Sequence, residues 1–165
     1  MEELLKPKAH EAPTQEVSKG AAIQLIVFQL GEEEYALPIS QIKEVVHTPP
    51  VTPMPQTPRY IQGVANIRGN VIAMVDLEEK LGKRSTAVAI EEFGYTLVVS
   101  SEELHMGILV RELPNTLTVY ESDMSDPGNL FQDAGGQSYI KGIVKLPNRL
   151  LLHIDITRLM KGAEE

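Results

Sequence analysis

Histidine is the side chain in this sequence best suited to bind a metal ion, since the chain contains no cysteine. The most metal-like pair is His153 and Asp155, because residues two apart on a strand face the same side. Such a pair could hold a cation or assist proton transfer. The same positions align, within an internal repeat, with Met74 and Asp76, which suit a packing position and a helix cap. We therefore favour structural roles for this pair and predict no metal site.

Acidic runs are the second possible source of chemistry. Paired carboxylates support acid–base catalysis when their surroundings separate their pKa values. The runs Glu32–Glu34, Glu91–Glu92 and Glu102–Glu103 all suit solvated turns instead, where charge also protects neighbouring strand edges. The sequence has no glycine-rich phosphate loop, nucleophile elbow or paired-histidine zinc motif. We expect no catalytic residue and no cofactor, and hence a protein that is not an enzyme.

Arg68 is a candidate of a different kind, because it lies beside Gly69 in a predicted turn between two apolar strands. A guanidinium in such a turn can reach carboxylates or backbone carbonyls of a partner. It can equally pair with an acidic neighbour of its own subdomain. Both interpretations stay open at this point.

The segment from Ile42 to Val45 is a further candidate binding surface. Ile42, Glu44 and Val45 alternate apolar and acidic character, as an exposed recognition edge would. The alternative is one helical turn capped by Ser40, in which Ile42 and Val45 pack inward and Glu44 is solvated.

An internal repeat organises the elements that must position these residues. Residues 142–156 follow the plan of residues 63–77 at a constant offset of 79 positions (142 − 63). A repeat of this kind predicts two copies of one supersecondary unit, and hence two related subdomains. The surface where they meet is then a natural place for function.

Structural roles at turns, caps and close backbone approaches are expected at five positions of this repeat. Glycine suits a tight turn or a close approach, and aspartate suits the N-cap of a short helix. The positions are Gly63, Gly69, Asp76, Gly142 and Asp155.

Short apolar segments separated by turn residues predict strands in both halves. They cover residues 23–30, 35–39, 64–67, 70–75, 87–90, 95–100, 105–110 and 116–120. A short helix is expected after Thr57-Pro58 and before Gly63, and others after the two aspartate caps. The apolar runs Val71–Val75 and Leu150–Ile154 are expected to be buried on both faces. With no βαβ spacing, the pattern predicts an all-β fold of two small antiparallel barrels around a shared hydrophobic core.

Composition limits the partners and the compartment. A net charge of −8 argues against nucleic acid, and no apolar run is long enough for direct membrane insertion. The absence of cysteine favours a cytoplasmic protein. Residues 1–20 lack periodicity and suggest a flexible tail, residues 21–161 a single domain, and residues 162–165 a short C-terminal tail.

Several of these segments together resemble the CheW family of bacterial chemotaxis coupling proteins. The resemblance rests on Gly63 to Leu77 with its Asn66-Ile67-Arg68-Gly69 turn, and on the preceding Tyr35–Ile39 and Ile42–Val46. It covers roughly residues 21–161, with Ala73 departing from a proline that the family often has. It implies two intertwined SH3-like five-stranded β-barrel subdomains packed around a shared hydrophobic core.

The resemblance also implies a non-enzymatic adaptor. Such a protein links the cytoplasmic tip of methyl-accepting chemoreceptors to the regulatory domain of the histidine kinase CheA, in the cytoplasm and at membrane-associated receptor arrays. Receptor-binding residues carried over by position are Ile42, Glu44, Val45 and Arg68, whereas no residue is assigned to the kinase contact. A paralogous chemosensory or motility pathway is an alternative, and a small-ligand-binding β protein is another.

Overall fold

The computed structural model describes residues 20–82, 88–126 and 139–162. Most of the predicted N-terminal tail lies outside these ranges, as do residues 83–87, 127–138 and 163–165. The domain boundaries at 21 and 161 therefore stay predictions.

Within the described residues the chain forms eleven strands and two α-helices. The helices are α1, Leu77–Lys80, and α2, Ile156–Gly162. The strands β1 to β11 are, in order, Ala22–Leu30, Glu33–Pro38, Ile42–His47, Ile61–Ile67, Asn70–Val75, Tyr95–Ser100, His105–Val110, Asn115–Tyr120, Met124–Ser125, Ile140–Leu146 and Arg149–Ile154. Neither α-helix is long and apolar enough to cross a bilayer.

The strands form two sheets, and each sheet combines hairpins from both halves of the sequence. One has the order β8-β1-β2-β11-β10-β9 and the other β3-β6-β7-β5-β4. The predicted all-β class is confirmed. The expectation of purely antiparallel barrels is wrong, because β2 pairs with β11, and β5 with β7, in parallel. The parallel pairs arise where a hairpin from one half joins a hairpin from the other.

One alternative is excluded and two local predictions are wrong. The helical turn considered for Ile42 to Val45 is not formed, because this segment is strand β3, whose β-branched residues suit its pairing with β6. The helix expected before Gly63 is absent from these described residues, since β4 already begins at Ile61. The strand expected at 87–90 is not formed by its described part, where a 3₁₀ turn begins at Ile90; Ala87 lies outside the described residues.

Three apolar clusters fill the described structure. One lies within the β3-containing sheet and includes Ile72 and Met74; another lies within the other sheet and includes Leu151. The third, hereafter the central cluster, draws on both sheets and on α1 and α2, and includes Val75 and Ile154. This arrangement agrees with two subdomains around a shared core.

The expectation that Val71–Val75 and Leu150–Ile154 are buried on both faces is wrong in part. Val71 is 68% exposed and Leu150 is 61% exposed, and each lies at the second position of its strand, next to a turn. Side chains alternate along a strand, so Ile72 and Met74 point into their own sheet's cluster while Val75 reaches the central cluster.

A buried carboxylate ties the two sheets together beside the central cluster. Glu78 of α1 is 6% exposed. Its Oε2 accepts a hydrogen bond of 3.0 Å from the Gly31 amide in the β1–β2 turn. Its Oε1 accepts another of 3.0 Å from Arg111, just after β7. By contrast, Lys161 of α2 forms an exposed ion pair with Glu103, at 2.9 Å.

Candidate functional site

The turn between β4 and β5 presents a charged side chain on an unusual backbone. Arg68 has a φ of 52° and Gly69 a φ of 86°, so both central residues of the turn are left-handed. This is the pattern of a tight hairpin turn whose twist matches its strands. A non-glycine residue in that region is uncommon and costs free energy relative to ordinary backbone conformations.

Arg68 pairs with Glu44 of β3. Its Nε donates to both carboxylate oxygens, at 2.8 Å and 3.0 Å. The arginine side chain is 69% exposed and the glutamate side chain 20% exposed. The sequence left two partners open for Arg68, and the structure places it beside an acidic neighbour of its own sheet. It also brings together two of the four predicted binding residues, which are 24 positions apart.

The ion pair joins the two ends of its sheet. In the order β3-β6-β7-β5-β4, Glu44 lies on the first strand and Arg68 follows the last. The sheet must therefore curl until its edges approach, as in a small barrel. The resulting surface, formed by Glu44 and Arg68, is called here the β3 surface.

The two apolar candidates have different environments. Val45 is 36% exposed and follows Glu44 in β3, so its side chain points to the opposite face of the strand. Ile42 is partly buried and packs against the central cluster. A β-bulge between Ile42 and Glu44 shifts the pairing register with β6. Ile42 and Val45 are therefore not the inward-facing helical pair considered from the sequence.

The repeat glycines allow close approach of neighbouring backbone. Gly63 has a φ of 152°, and a Cβ there would lie 2.2 Å from the carbonyl oxygen of Thr52. Thr52 in turn exchanges two backbone hydrogen bonds with Val64, at 2.8 Å and 2.9 Å. At the equivalent position, a Cβ on Gly142 would lie 3.3 Å from the Ser125 carbonyl oxygen. Gly63 thus lets residues 48–58, a proline-rich connector between β3 and β4, lie directly on β4.

Both repeat aspartates cap helices. Asp76 Oδ1 accepts from the amide of Glu79 at 3.2 Å. Asp155 Oδ1 accepts from the amide of Arg158 at 3.1 Å. The geometry agrees with the cap roles expected from the sequence, and it directs the Asp155 carboxylate to a backbone donor.

His153 is a core residue in this structure. It is 7% exposed, and neither ring nitrogen has a hydrogen-bond partner within the described part of the chain. Burial lowers the pKa of His153, and Lys141 lowers it further, while Asp155 acts in the opposite direction. Across the described ranges there is no group of three or more acidic or histidine side chains that could hold a metal ion.

An open cavity of about 570 Å³ lies beside the end of β3. It is lined by His47 and residues 48–51 on one side, and by Ile90, Glu91, Phe93 and Gly94 on the other. Neither His153 nor Asp155 lines it. A ligand-binding role for His153 and Asp155 would require a polar pocket that they line, and this cavity is not such a pocket.

Comparison with known proteins decides the family. The model of the family described as CheW-like domain matches residues 24–164. The chain belongs to the CheW-like family. The resemblance seen in the sequence is thereby confirmed.

Relatives of this CheW-like chain cover most of its length. Chemotaxis protein CheW of Treponema pallidum is 29% identical over 143 residues, which are 86% of this chain and 84% of the relative. Chemotaxis protein CheW of Bacillus subtilis is 30% identical over 148 residues, or 89% of this chain and 91% of the relative. The adaptor function in chemotaxis expected from the resemblance agrees with these relatives.

A solved structure supports the fold. The crystal structure of scaffolding protein TtCheW from Thermoanaerobacter tengcongensis superposes with a TM-score of 0.72 at 24% identity. The match covers 84% of this chain and 92% of that protein. The two-subdomain β architecture is therefore that of the family.

Proposed function

We propose that this chain is a non-enzymatic chemotaxis adaptor that links chemoreceptors to a CheA-type histidine kinase. It works in the cytoplasm and is recruited to membrane-associated receptor arrays. It contacts the cytoplasmic tip of a methyl-accepting chemoreceptor and the regulatory domain of the kinase. The observation that carries the receptor half of the proposal is the Glu44–Arg68 pair on the β3 surface.

Arg68 has the chemistry of a recognition residue in this pairing. Glu44 uses only its Nε, and the side chain remains 69% exposed. The terminal guanidinium nitrogens therefore keep their donors for a partner's carbonyl or carboxylate oxygens. Glu44 is largely covered and holds the Arg68 side chain in one direction before a partner binds. Arg68 therefore loses less conformational entropy on binding than a freely rotating side chain would.

Apolar contact in this proposal comes from β3. Val45 presents an exposed aliphatic side chain on the face of β3 opposite Glu44, and Ile42 adds the part that the core leaves accessible. An amphipathic receptor helix would place its apolar stripe on these residues and a polar group on Arg68. The buried apolar side chains supply affinity, while the charged pair supplies orientation.

The absence of enzymatic chemistry is part of the proposal. His153 and Asp155, the best catalytic candidates, lie in the core and at a helix cap respectively. An adaptor needs no reaction, because arrays of weak contacts gain strength from multivalency. Signal is then carried by fixing the geometry of receptor and kinase.

Affinity capture from fractions of the native cell tests this proposal. The wild-type chain should recover a chemoreceptor and a CheA-type kinase together. Arg68→Ala should lower receptor affinity about tenfold and leave kinase recovery unchanged. The matched control is Arg149→Ala, which removes a similar bidentate pair with Glu34 on the other sheet. Unchanged receptor recovery with folded Arg68→Ala would contradict the assignment of the β3 surface.

A further inference from the structure

The side chain of Asn66 holds the turn that carries Arg68. Its Oδ1 accepts a hydrogen bond of 2.9 Å from the amide of Gly69, across the turn. Asn66 is exposed at the surface. Its contribution is therefore to local backbone geometry and not to the core.

The turn needs this support because its backbone is strained. Arg68 has a φ of 52°, a region that costs a residue with a Cβ free energy relative to ordinary conformations. An asparagine that hydrogen-bonds the backbone a few residues on is a recurrent way to stabilise such a turn. Without the bond, the peptide between Arg68 and Gly69 is free to relax to a turn with negative φ.

The second copy of the repeat shows what the turn looks like without this pair. Lys145 stands at the position of Asn66, and Pro147 at the position of Arg68. The turn joins β10 to β11 in the same register, Leu146 opposite Arg149, yet neither Pro147 nor Asn148 has a positive φ. Pro147 fixes a negative φ, so a hairpin of the same register forms here without a left-handed turn.

We propose that Asn66 is a positioning residue for receptor binding that acts through Arg68. By holding the left-handed turn, it sets the direction in which Arg68 leaves the backbone and meets Glu44. The inference deepens the proposed function and rests on it for its receptor arm. Its structural arm, the effect on the Arg68–Glu44 pair, concerns the free protein alone.

The structural arm is tested by NMR on the free protein. The Nε–H of Arg68 is bonded to both Glu44 oxygens, so its signal should exchange slowly with solvent. In Asn66→Ala this protection should fall about fivefold. In Asn66→Asp, which keeps an acceptor oxygen for the Gly69 amide, it should recover to within about twofold of wild type.

The receptor arm is a double-mutant cycle with the purified cytoplasmic fragment of a chemoreceptor recovered by the chain. Asn66→Ala should weaken binding about fivefold in the wild-type background and have no effect in the Arg68→Ala background. A residue that merely stabilised the fold would weaken binding in both backgrounds. Additive effects of the two substitutions would overturn the inference.

The outcomes separate this inference from the proposed function. If Arg68→Ala weakens receptor binding but Asn66→Ala changes neither the Nε–H protection nor the affinity, the positioning role is refuted. If Asn66→Ala lowers the protection while neither substitution affects receptor binding, the positioning of Arg68 is supported and the receptor assignment of the β3 surface is refuted.

Discussion

Substituting Gly63 by alanine should destabilise this protein far more than the same change at Gly142. The two glycines occupy equivalent positions of the repeat, so the pair controls for sequence context. A Cβ at Gly63 would lie 2.2 Å from the Thr52 carbonyl oxygen and 2.9 Å from Val51 Cγ1, on a backbone with a φ of 152°. At Gly142 the nearest atom would be 3.3 Å away, without a positive φ.

The loss of stability in Gly63→Ala depends on which atoms must move to make room for the new Cβ. The clash at Gly63 is with backbone, so the connector has to leave β4 and give up the two Thr52–Val64 hydrogen bonds. These bonds contribute about 1 kcal/mol each to the free energy of unfolding, and the strained φ adds about 1–3 kcal/mol. We expect a total loss of about 3–5 kcal/mol, whereas a shift of a few tenths of an ångström at Gly142 should cost about 1 kcal/mol.

Urea unfolding followed by circular dichroism measures this difference. The melting temperature of a chain of this size shifts by about 2–4 °C per kcal/mol, so Gly63→Ala should lower the melting temperature by about 10 °C. The slope of the unfolding free energy with urea should stay unchanged, so that the shift reports stability alone. Equal losses for the two variants would refute the close-approach explanation of Gly63.

The buried Glu78 and His153 provide two further predictions. Glu78→Gln leaves one acceptor oxygen for two donors, Gly31 and Arg111, so the free energy of unfolding measured by chemical denaturation should fall by about 1–2 kcal/mol. The control Lys161→Ala should lower it by less than about 0.5 kcal/mol. Equal losses for the two variants would contradict the role of Glu78 in joining the two sheets. Because burial lowers the pKa of His153 in the folded state, the unfolded state binds its proton first, and stability should decrease as pH falls below about 6.5. His153→Met introduces the residue found at the equivalent repeat position, Met74. In this variant, unfolding curves between about pH 7.5 and 5 should lack this part of the pH dependence of the unfolding free energy. An unchanged dependence of the unfolding free energy on pH would show that another group is responsible.

The sequence predicted short strands and helix caps where an apolar pattern and a turn or cap residue indicated the same element. The strands around Gly31 and Gly69 are apolar segments separated by glycine turns, and they form close to the predicted positions. The helix caps at Asp76 and Asp155 also form, because an N-cap depends on backbone only three residues away. These features are decided within a few positions of the chain.

The pairing of hairpins across the two halves could not be obtained in this way. No local signal places β11 beside β2, a contact between residues more than one hundred positions apart such as Arg149 and Glu34. The same limit hid the partner of Arg68, since Glu44 is distant in sequence. In β3, pairing with β6 overrode the helical turn that Ser40 suggested. Tertiary contacts decided each of these cases.

The candidate site was located by resemblance more than by chemistry. Physical reasoning left Arg68 equally suited to a partner and to its own sheet, and the structure shows the second contact. The exposure of the Arg68 side chain and the strained turn support the proposed binding role, and neither could be seen from the sequence. Val45 and Ile42 could be told apart only once the bulge in β3 was known.

Bridging is the property that tests the adaptor account most directly. The measurement is sedimentation of CheA-type kinase with receptor-containing membranes, with and without the purified chain. The account predicts that kinase sediments only when the chain is present, and that Arg68→Ala abolishes most of this recruitment while Arg149→Ala keeps receptor attachment of the chain. Kinase that sediments equally without the chain, or a folded chain that binds neither protein, would contradict the account.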